Sequence, residues 1–519
     1  MLIHISSAKC IGIDAVPVTV EIDIDKGIGI HLVGLADIAV KESLLRTTTA
    51  LESLGFRIPG KKIIINLAPA DLRKNGSGYD LPIAAGIIAA SGQMELPRIG
   101  DYLMMGELGL DASVRGIPGA LPIAELAARS GAEGVILPFD SALEAMEMPD
   151  IRVYGVRSLR EALLILSGEE SSQLEIHRQR HKLAPVTDRP SVLSEDTVDF
   201  ADIIGQEGAK RAAEIAAAGG HNMIMIGAPG SGKSSLAKAI AGILPPMSRE
   251  ESLVTSKVYS VSGRNAGQYG LIRRRPFRTP HHSASMAAII GGGAGDNIQP
   301  GEVSLANGGV LFLDELAHMP RSILEALRAP LEDRVVSVSR LKNKISFPAS
   351  FMLIAASNPC PCGYYGEGDR CSCTPAQRLA YLSRLSGPIM DRIDIQVWMH
   401  PVDTRKLVQG EKAESSAAVA SRVLRAREIQ AERFKGDCVF CNAEMGRKQM
   451  DEFCRLSPEC KEQMEQIIER SGFSARAYSR IVKLARTISD LEGSPEIKSG
   501  HLYEAAGYRF LDKLNGGKI

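Results

Sequence analysis

The 519-residue chain carries no surplus charge of either sign: 61 Lys and Arg balance 61 Asp and Glu. A protein that coats nucleic acid without regard to sequence is usually basic overall. Any such contact here is therefore expected to be local, as in a pore lining. Long apolar runs are missing too. The longest small-apolar stretch, Ile83 to Ala90, falls far short of the roughly 20 residues that span a bilayer. Met1-Leu2-Ile3-His4-Ile5 has neither a basic start nor a sustained apolar core, so no secretory signal is expected there. The nine cysteines are odd in number and cluster late, which argues against a disulfide framework. These absences predict a soluble cytoplasmic protein with no membrane partner.

What is present is enough apolar material, 45% of residues, for several cores, and a length that predicts three or four domains of about 150 residues each. Residues 1–167 mix β-rich and helical runs. Val16 to Ile24 alternates apolar and polar residues like a half-buried strand, Lys62 to Leu67 reads as a second strand, and Ala124 to Arg129 as a helix. An α+β domain is expected. Residues 168–196 are dominated by Glu, Ser, Gln, His, Arg and Pro without apolar periodicity, and read as a linker. Residues 197–400 alternate apolar strands, Gly-rich turns and helices, the pattern of an α/β fold with a mostly parallel sheet. Residues 401–519 are helical in period, with a charged run from Arg422 to Lys435, and predict a helical lid.

The chemistry concentrates in the third segment. Asn222 to Ile226 is a short apolar strand running into Gly227-Ala228-Pro229-Gly230-Ser231-Gly232-Lys233-Ser234, and helix-forming residues follow from Ser235. This is G-x-x-x-x-G-K-[ST] between a strand and a helix. Its glycines let backbone amides turn onto phosphates, and the helix N-terminus adds a favourable dipole. Lys233 is expected on the β/γ-phosphates of ATP and Ser234 on Mg²⁺. Val310 to Leu313 is a second strand ending in Asp314 and Glu315, suited to the Mg²⁺ shell and to deprotonating a water. A third strand, Phe351 to Ala356, ends near Asn358, whose amide can hold that water or simply cap a turn. Arg384 and Arg392 follow. Either can stabilise a neighbour's γ-phosphate in trans or form an internal Arg–Asp pair, and Arg392 is preferred as the finger. Arg476 starts a helix and is expected over the nucleotide, with Arg480 as its rival.

Together these residues resemble the magnesium-chelatase-like branch of AAA+ proteins, and specifically the YifB/ComM family, over essentially the whole chain. The specific tracts are Arg275 to His282, Gly308 to Glu315, Asn358 to Gly363, Ser386-Gly387-Pro388 leading to Asp391-Arg392, and Ala485 to Asp490. The resemblance implies a hexameric ring with an AAA+ P-loop core, an N-terminal Lon-protease-like domain and a C-terminal lid. For ComM-type members it implies ATP-driven branch migration of DNA during natural transformation. A chelatase-type chaperone, remodelling a protein or assisting metal insertion, is the first alternative. The resemblance implies that a true chelatase motor lacks the Lon-like domain and the cysteine loop described below. A DNA-binding scaffold with a regulatory ATPase is the second.

The Lon likeness invites a test for peptidase chemistry. Aligned without gaps, the catalytic Lys position falls on Leu121 and the nucleophilic Ser position on Asp80. Without those groups acyl transfer has nothing to run on, and Ser77 nearby shows no base. An inactive protease fold kept for assembly or DNA contact is expected.

Two further groups stand out. Cys360, Cys362, Cys371 and Cys373 form two C-x-C pairs that can close a tetrahedral Zn²⁺ site, or remain reduced thiols or a redox pair. Asp333 to Arg340 and Lys344 to Phe347 read as a hairpin. In related rings such a hairpin enters the pore, so Arg340, Lys342 and Lys344 are candidates for single-stranded or branched DNA, or form a solvated turn. Arg273-Arg274-Arg275 and Arg278 make a second basic cluster beside His281-His282, and the two histidines are read as packing or backbone-bonding groups.

Overall fold

The alternation in the first 167 residues builds a mixed seven-stranded sheet. Its order is Gly29–Val33, Lys62–Ala68, Asp14–Asp25, Ile3–Ile11, Tyr102–Met104, Gly134–Pro138, Arg152–Val156. Asp14–Asp25 pairs antiparallel with both of its neighbours, and Val18, Val20 and Ile22 point into the core. The apolar run near Ile83 is the buried helix Asp80–Ser91, and the helix expected from Ala124 begins earlier, at Ala120. The computed structural model describes residues 2–35, 37–169, 172–176, 198–265, 270–293, 298–339, 344–385, 387–401, 413–437 and 439–511. Within the stretch read as a linker, residues 172–176 place Ile176 in the first core.

A second sheet of five parallel strands runs Phe277–Arg278, Val310–Leu313, Met352–Ser357, Met223–Gly227, Ile395–Met399. Numbered along the chain its order is 2-3-4-1-5, so the phosphate-loop strand lies between the fourth and fifth. Helices cover both faces, and the inner strands are apolar throughout, as a doubly covered parallel sheet requires. The α/β core and the helical C-terminal region are as expected from the sequence.

The C-terminal helices Ser416–Arg433, Pro458–Ser471, Ala475–Leu491 and Ser499–Gly507 share one core with the phosphate-loop strand and its helix. The tract 485–490 is part of that packing. Arg486 and Arg433 both pair with buried Asp490, and Thr487 Oγ1 lies 2.8 Å from Nε2 of buried His221. Among the described residues, no helix is long and apolar enough to cross a membrane.

The first core docks on the second through helix Arg249–Val261, which opens with a Ser248–Glu251 capping box. Lys257 Nζ reaches Asp14 at 2.6 Å and Glu125 at 2.8 Å, and Gly119 N donates to Ser260 O at 2.9 Å. Buried Glu144 accepts from Asn265 Nδ2 at 2.9 Å. The hairpin is present as Val335–Ser339 paired with Lys344–Pro348, and its Ile345 and Phe347 pack with Val261, Cys10 and Ile13. Lys344 is exposed at the start of its strand, while Arg340 and Lys342 lie outside the described residues.

Candidate nucleotide site

The loop after Met223–Gly227 has a shape that only its own residues allow. A Cβ on Gly227 would meet Met399 O at 2.5 Å and Ser231 Oγ at 2.8 Å. Gly230 and Gly232 take φ of 80° and 89°, the left-handed region. The helix Lys233–Ile243 starts at once, leaving the first-turn amides of Lys233, Ser234 and Ser235 without helical acceptors. Lys233 Nζ donates to Gly227 O at 2.7 Å and Ala228 O at 2.9 Å, and lies 3.4 Å from Asn358 Oδ1. Burial lowers its ammonium pKa.

Ser234 Oγ donates to Asp314 Oδ2 at 3.1 Å, and Asp314 Oδ1 accepts from Glu315 N at 2.9 Å. Glu315 sits at φ 51°, unusual for a non-glycine residue and held by its surroundings. Its Oε2 lies 3.2 Å from His282 Nδ1, and the His282 ring lies 4.1 Å from that of His281. Lys233, Ser234, Asp314, Glu315 and Asn358, far apart in the chain, thus meet at the carboxyl edge of the sheet, where open α/β sheets bind ligands.

The sequence reading assigned His281 and His282 to packing or backbone bonds. His281 bears this out, accepting from Ser283 N at 3.3 Å beside a 2.7 Å contact with the Ser283 hydroxyl, whereas His282 also meets a carboxylate that strand order alone brings to it. Gln206 was missed. It takes φ 61°, and its Nε2 donates to Ser231 O at 3.1 Å and His400 O at 2.5 Å, bracing the loop. Its one sequence signal was the preceding Gly205.

The arginines divide between two places. Arg392, Arg476 and Arg480 line a cleft of about 820 Å³ with Asn222, Glu332, Asp391, Asp394 and Lys483. Arg392 is paired with Glu332, Arg476 with Asp391 at 2.9 Å, and Arg480 with Asp394. Burial opposes ionisation of Asp394, yet Arg480 and His221 hold its carboxyl far below the usual range. Asn222 precedes the phosphate-loop strand, so the cleft lies at the amino edge of the sheet. The loop lies at the other end, roughly 15 Å away along the strand. Arg476 therefore does not stand over its own chain's phosphate loop. Arg384 is exposed just beyond the helix whose Tyr381 packs edge-on to His318 at 5.9 Å, and it does not line the cleft.

Residues 199–407 match the family model for magnesium chelatase, subunit ChlI. Residues 20–141 and 413–509 match the ChlI subunit and ChlI C-terminal models. YifB of Salmonella typhimurium, itself uncharacterised, is 41% identical over 99% of this chain and 97% of its own. Competence protein ComM of Haemophilus influenzae is 41% identical over 98% of this chain and 97% of its own. The chain belongs to the YifB/ComM family of magnesium-chelatase-like AAA+ ATPases. Its N-terminal region is Lon-like: Lon protease 2 of Bacillus subtilis is 28% identical over 144 residues, 27% of this chain and 26% of its own.

In this family member the positions aligned with Lon chemistry are filled by packing. Leu121 is buried, and Asp80 is fully buried, taking Arg46 Nε at 2.8 Å, Arg46 Nη2 at 3.2 Å and Leu108 N at 3.2 Å. Ser77 Oγ does find an acid, Glu107, which the sequence reading did not foresee. Among the described residues no lysine or histidine bonds to either.

The four late cysteines converge. All four Sγ lie within 4.8 Å of one another, with separations of 3.3, 3.8 and 3.7 Å among Cys360, Cys362 and Cys371. A Zn–S bond of about 2.3 Å implies a tetrahedral S···S edge of about 3.8 Å, so the donor set fits Zn²⁺. The Tyr364 amide lowers Cys362 to about 6, whereas burial raises Cys360 to about 12, and a coordinated cation would favour both thiolates.

The Arg273–Arg278 cluster is largely consumed by structure. Arg275 holds Glu251 and the carbonyls of Pro245 and Gly308, Arg278 pairs with Glu302, and Arg273 with Glu147.

Proposed function

We propose that this chain is an ATP-hydrolysing ring motor, a hexamer, that moves branched or single-stranded DNA and drives branch migration in recombination and natural transformation. One observation carries the reading: the phosphate loop and Arg392 occupy opposite edges of the same sheet. A chain that grips phosphate at one edge and presents arginines at the other is completed by a second copy, in a head-to-tail contact that closes into a ring. In that contact backbone amides of the 227–235 loop, Pro229 excepted, and Lys233 bind the phosphates. Ser234 and Asp314 would hold Mg²⁺, which supplies charge to the β- and γ-oxygens. Glu315, braced by His282, takes a proton from the water that Asn358 orients. Arg392 of the adjoining protomer neutralises charge in the transition state, with Arg476 beside it.

The DNA part rests on the likeness to competence protein ComM and on the hairpin, where Arg340, Lys342 and Lys344 are the proposed contacts. We take residues 1–167, with the packed turn 172–176, as an inactive Lon-protease-like domain, the remainder of 168–196 as the linker, 197–400 as the motor and 401–519 as the lid. Zn²⁺ on Cys360, Cys362, Cys371 and Cys373 is structural. The eight cysteines among the described residues are all free, which suits a reducing cytoplasm.

The test is ATP turnover with and without four-way DNA, alongside ATP-dependent strand displacement on the same substrate. Stimulation with displacement is expected. DNA binding without movement would point to the scaffold, and metal insertion into a tetrapyrrole to the chelatase alternative, after which the matching family model is named.

A further inference from the structure

The four-cysteine loop is placed where it can do more than stabilise the fold. Strand Met352–Ser357 ends at Asn358, whose Oδ1 lies 3.4 Å from Lys233 Nζ, and Cys360 follows two residues later. Gly363, at φ 87°, presses on the phosphate loop itself. A Cβ there would meet Pro229 Cδ at 3.0 Å and Cγ at 3.1 Å. On its other side the loop rests on the strand Ile395–Met399, where Tyr365 packs edge-on against Trp398 at 6.2 Å and Gly366 lies close to the same ring. Between Cys360 and Cys373 the only regular structure is the 3-10 turn Gly368–Arg370. The four sulfurs therefore tie together a segment with little regular structure of its own.

We infer that the metal clasped by Cys360, Cys362, Cys371 and Cys373 is thermodynamically linked to nucleotide binding, because the loop it closes fixes both Asn358 and Pro229 of the phosphate loop. The inference rests on the nucleotide and zinc readings above. With Zn²⁺ bound, the loop backs the cradle and orders it before ATP arrives. Without it, ATP must order the loop as well as bind. Linkage is reciprocal, so ATP must tighten the metal by the factor by which the metal tightens ATP.

The experiment uses the full-length chain. Affinity for a fluorescent ATP analogue is measured on the zinc-loaded protein, on protein stripped by a chelator and returned to Mg²⁺ buffer, and after Zn²⁺ is added back. Loss of about tenfold in affinity on stripping, recovered on reloading, is expected. On unaltered protein, the rate of zinc transfer to a chromophoric chelator should fall several-fold when the ATP analogue is present, a readout that needs no variant. Cys371→Ser with Cys373→Ser should reproduce the stripped state with the helical circular dichroism retained, while Cys454→Ser changes nothing. A chain that holds one zinc and binds ATP with equal affinity in both states overturns the linkage and leaves both parent readings intact. A chain that never holds zinc, or never binds ATP, overturns the linkage together with the parent reading concerned.

Discussion

Asp80 and Asp314 are both carboxylates beside the N-terminus of a helix or turn, one in the Lon-like region and one in the ATPase region, and they have opposite fates. Asp80 is fully buried, and two nitrogens of Arg46 and the amide of Leu108 occupy its oxygens. Asp314 stays partly open, shares one hydroxyl and one amide, and precedes a residue forced to positive φ. The Lon-like region has spent its polar groups on its own stability. The ATPase region holds its groups converged but unsaturated, and accepts local strain to do so. Chemical capacity is thus read from acceptors left available, more than from residue type.

The predictions test this contrast from its strongest point downward. Arg392→Ala should lower ATP turnover by about 10³-fold, the order expected for a finger arginine, with nucleotide affinity nearly unchanged. A small loss would return Arg392 to a mere partner of Glu332 and favour Arg384. Asp80→Ala leaves Arg46 facing a buried void and should destabilise the N-terminal region by about 3 kcal/mol in denaturant unfolding, with ATP turnover per folded chain unchanged. Lost turnover in a fully folded variant would break the comparison. Glu315→Gln should retain ATP while hydrolysis drops by about 10²-fold. His282→Ala should lower kcat more than it raises KM, since it removes a brace on Glu315 and no contact to ATP.

The smallest effect concerns the docked interface. Glu144 is pushed up to about 7 by burial, from an ordinary 4.5. Because the folded value lies above the unfolded one, the folded chain binds the extra proton. Its stabilising contribution is complete below about pH 4.5 and is lost as pH rises toward 7. Thermal unfolding at pH 5 and pH 8 should show this as roughly 1–3 kcal/mol, flattened in Glu144→Gln.

Much of the site was legible because its parts are local. The phosphate loop, the Asp314-Glu315 strand end and Asn358 each sit at the end of an apolar run, and strand periodicity marks those ends. The cysteine quartet was legible from its paired spacing. The rest depends on partners remote in sequence. His282 is near Glu315 only because Phe277–Arg278 and Val310–Leu313 are neighbouring strands. Arg273, Arg275 and Arg278 look like a basic patch until Glu147, Glu251 and Glu302 arrive to neutralise them. The cleft around Arg392 needed the direction of the sheet before its distance from the phosphate loop could be seen. In the N-terminal region the strand alternation was clear, yet Ser77's acidic partner thirty residues on was not.

The two-edged layout of the central sheet also means that damage need not be private to the molecule that carries it. In the proposed ring, a protomer crippled in its loop would still lend a sound arginine face to the next, and one crippled at Arg392 would still offer a sound loop. Mixing equal amounts of Lys233→Ala and Arg392→Ala chains should therefore revive hydrolysis, since about one junction in four would unite two intact halves. Two inert preparations that wake on contact would be the signature of a borrowed catalyst.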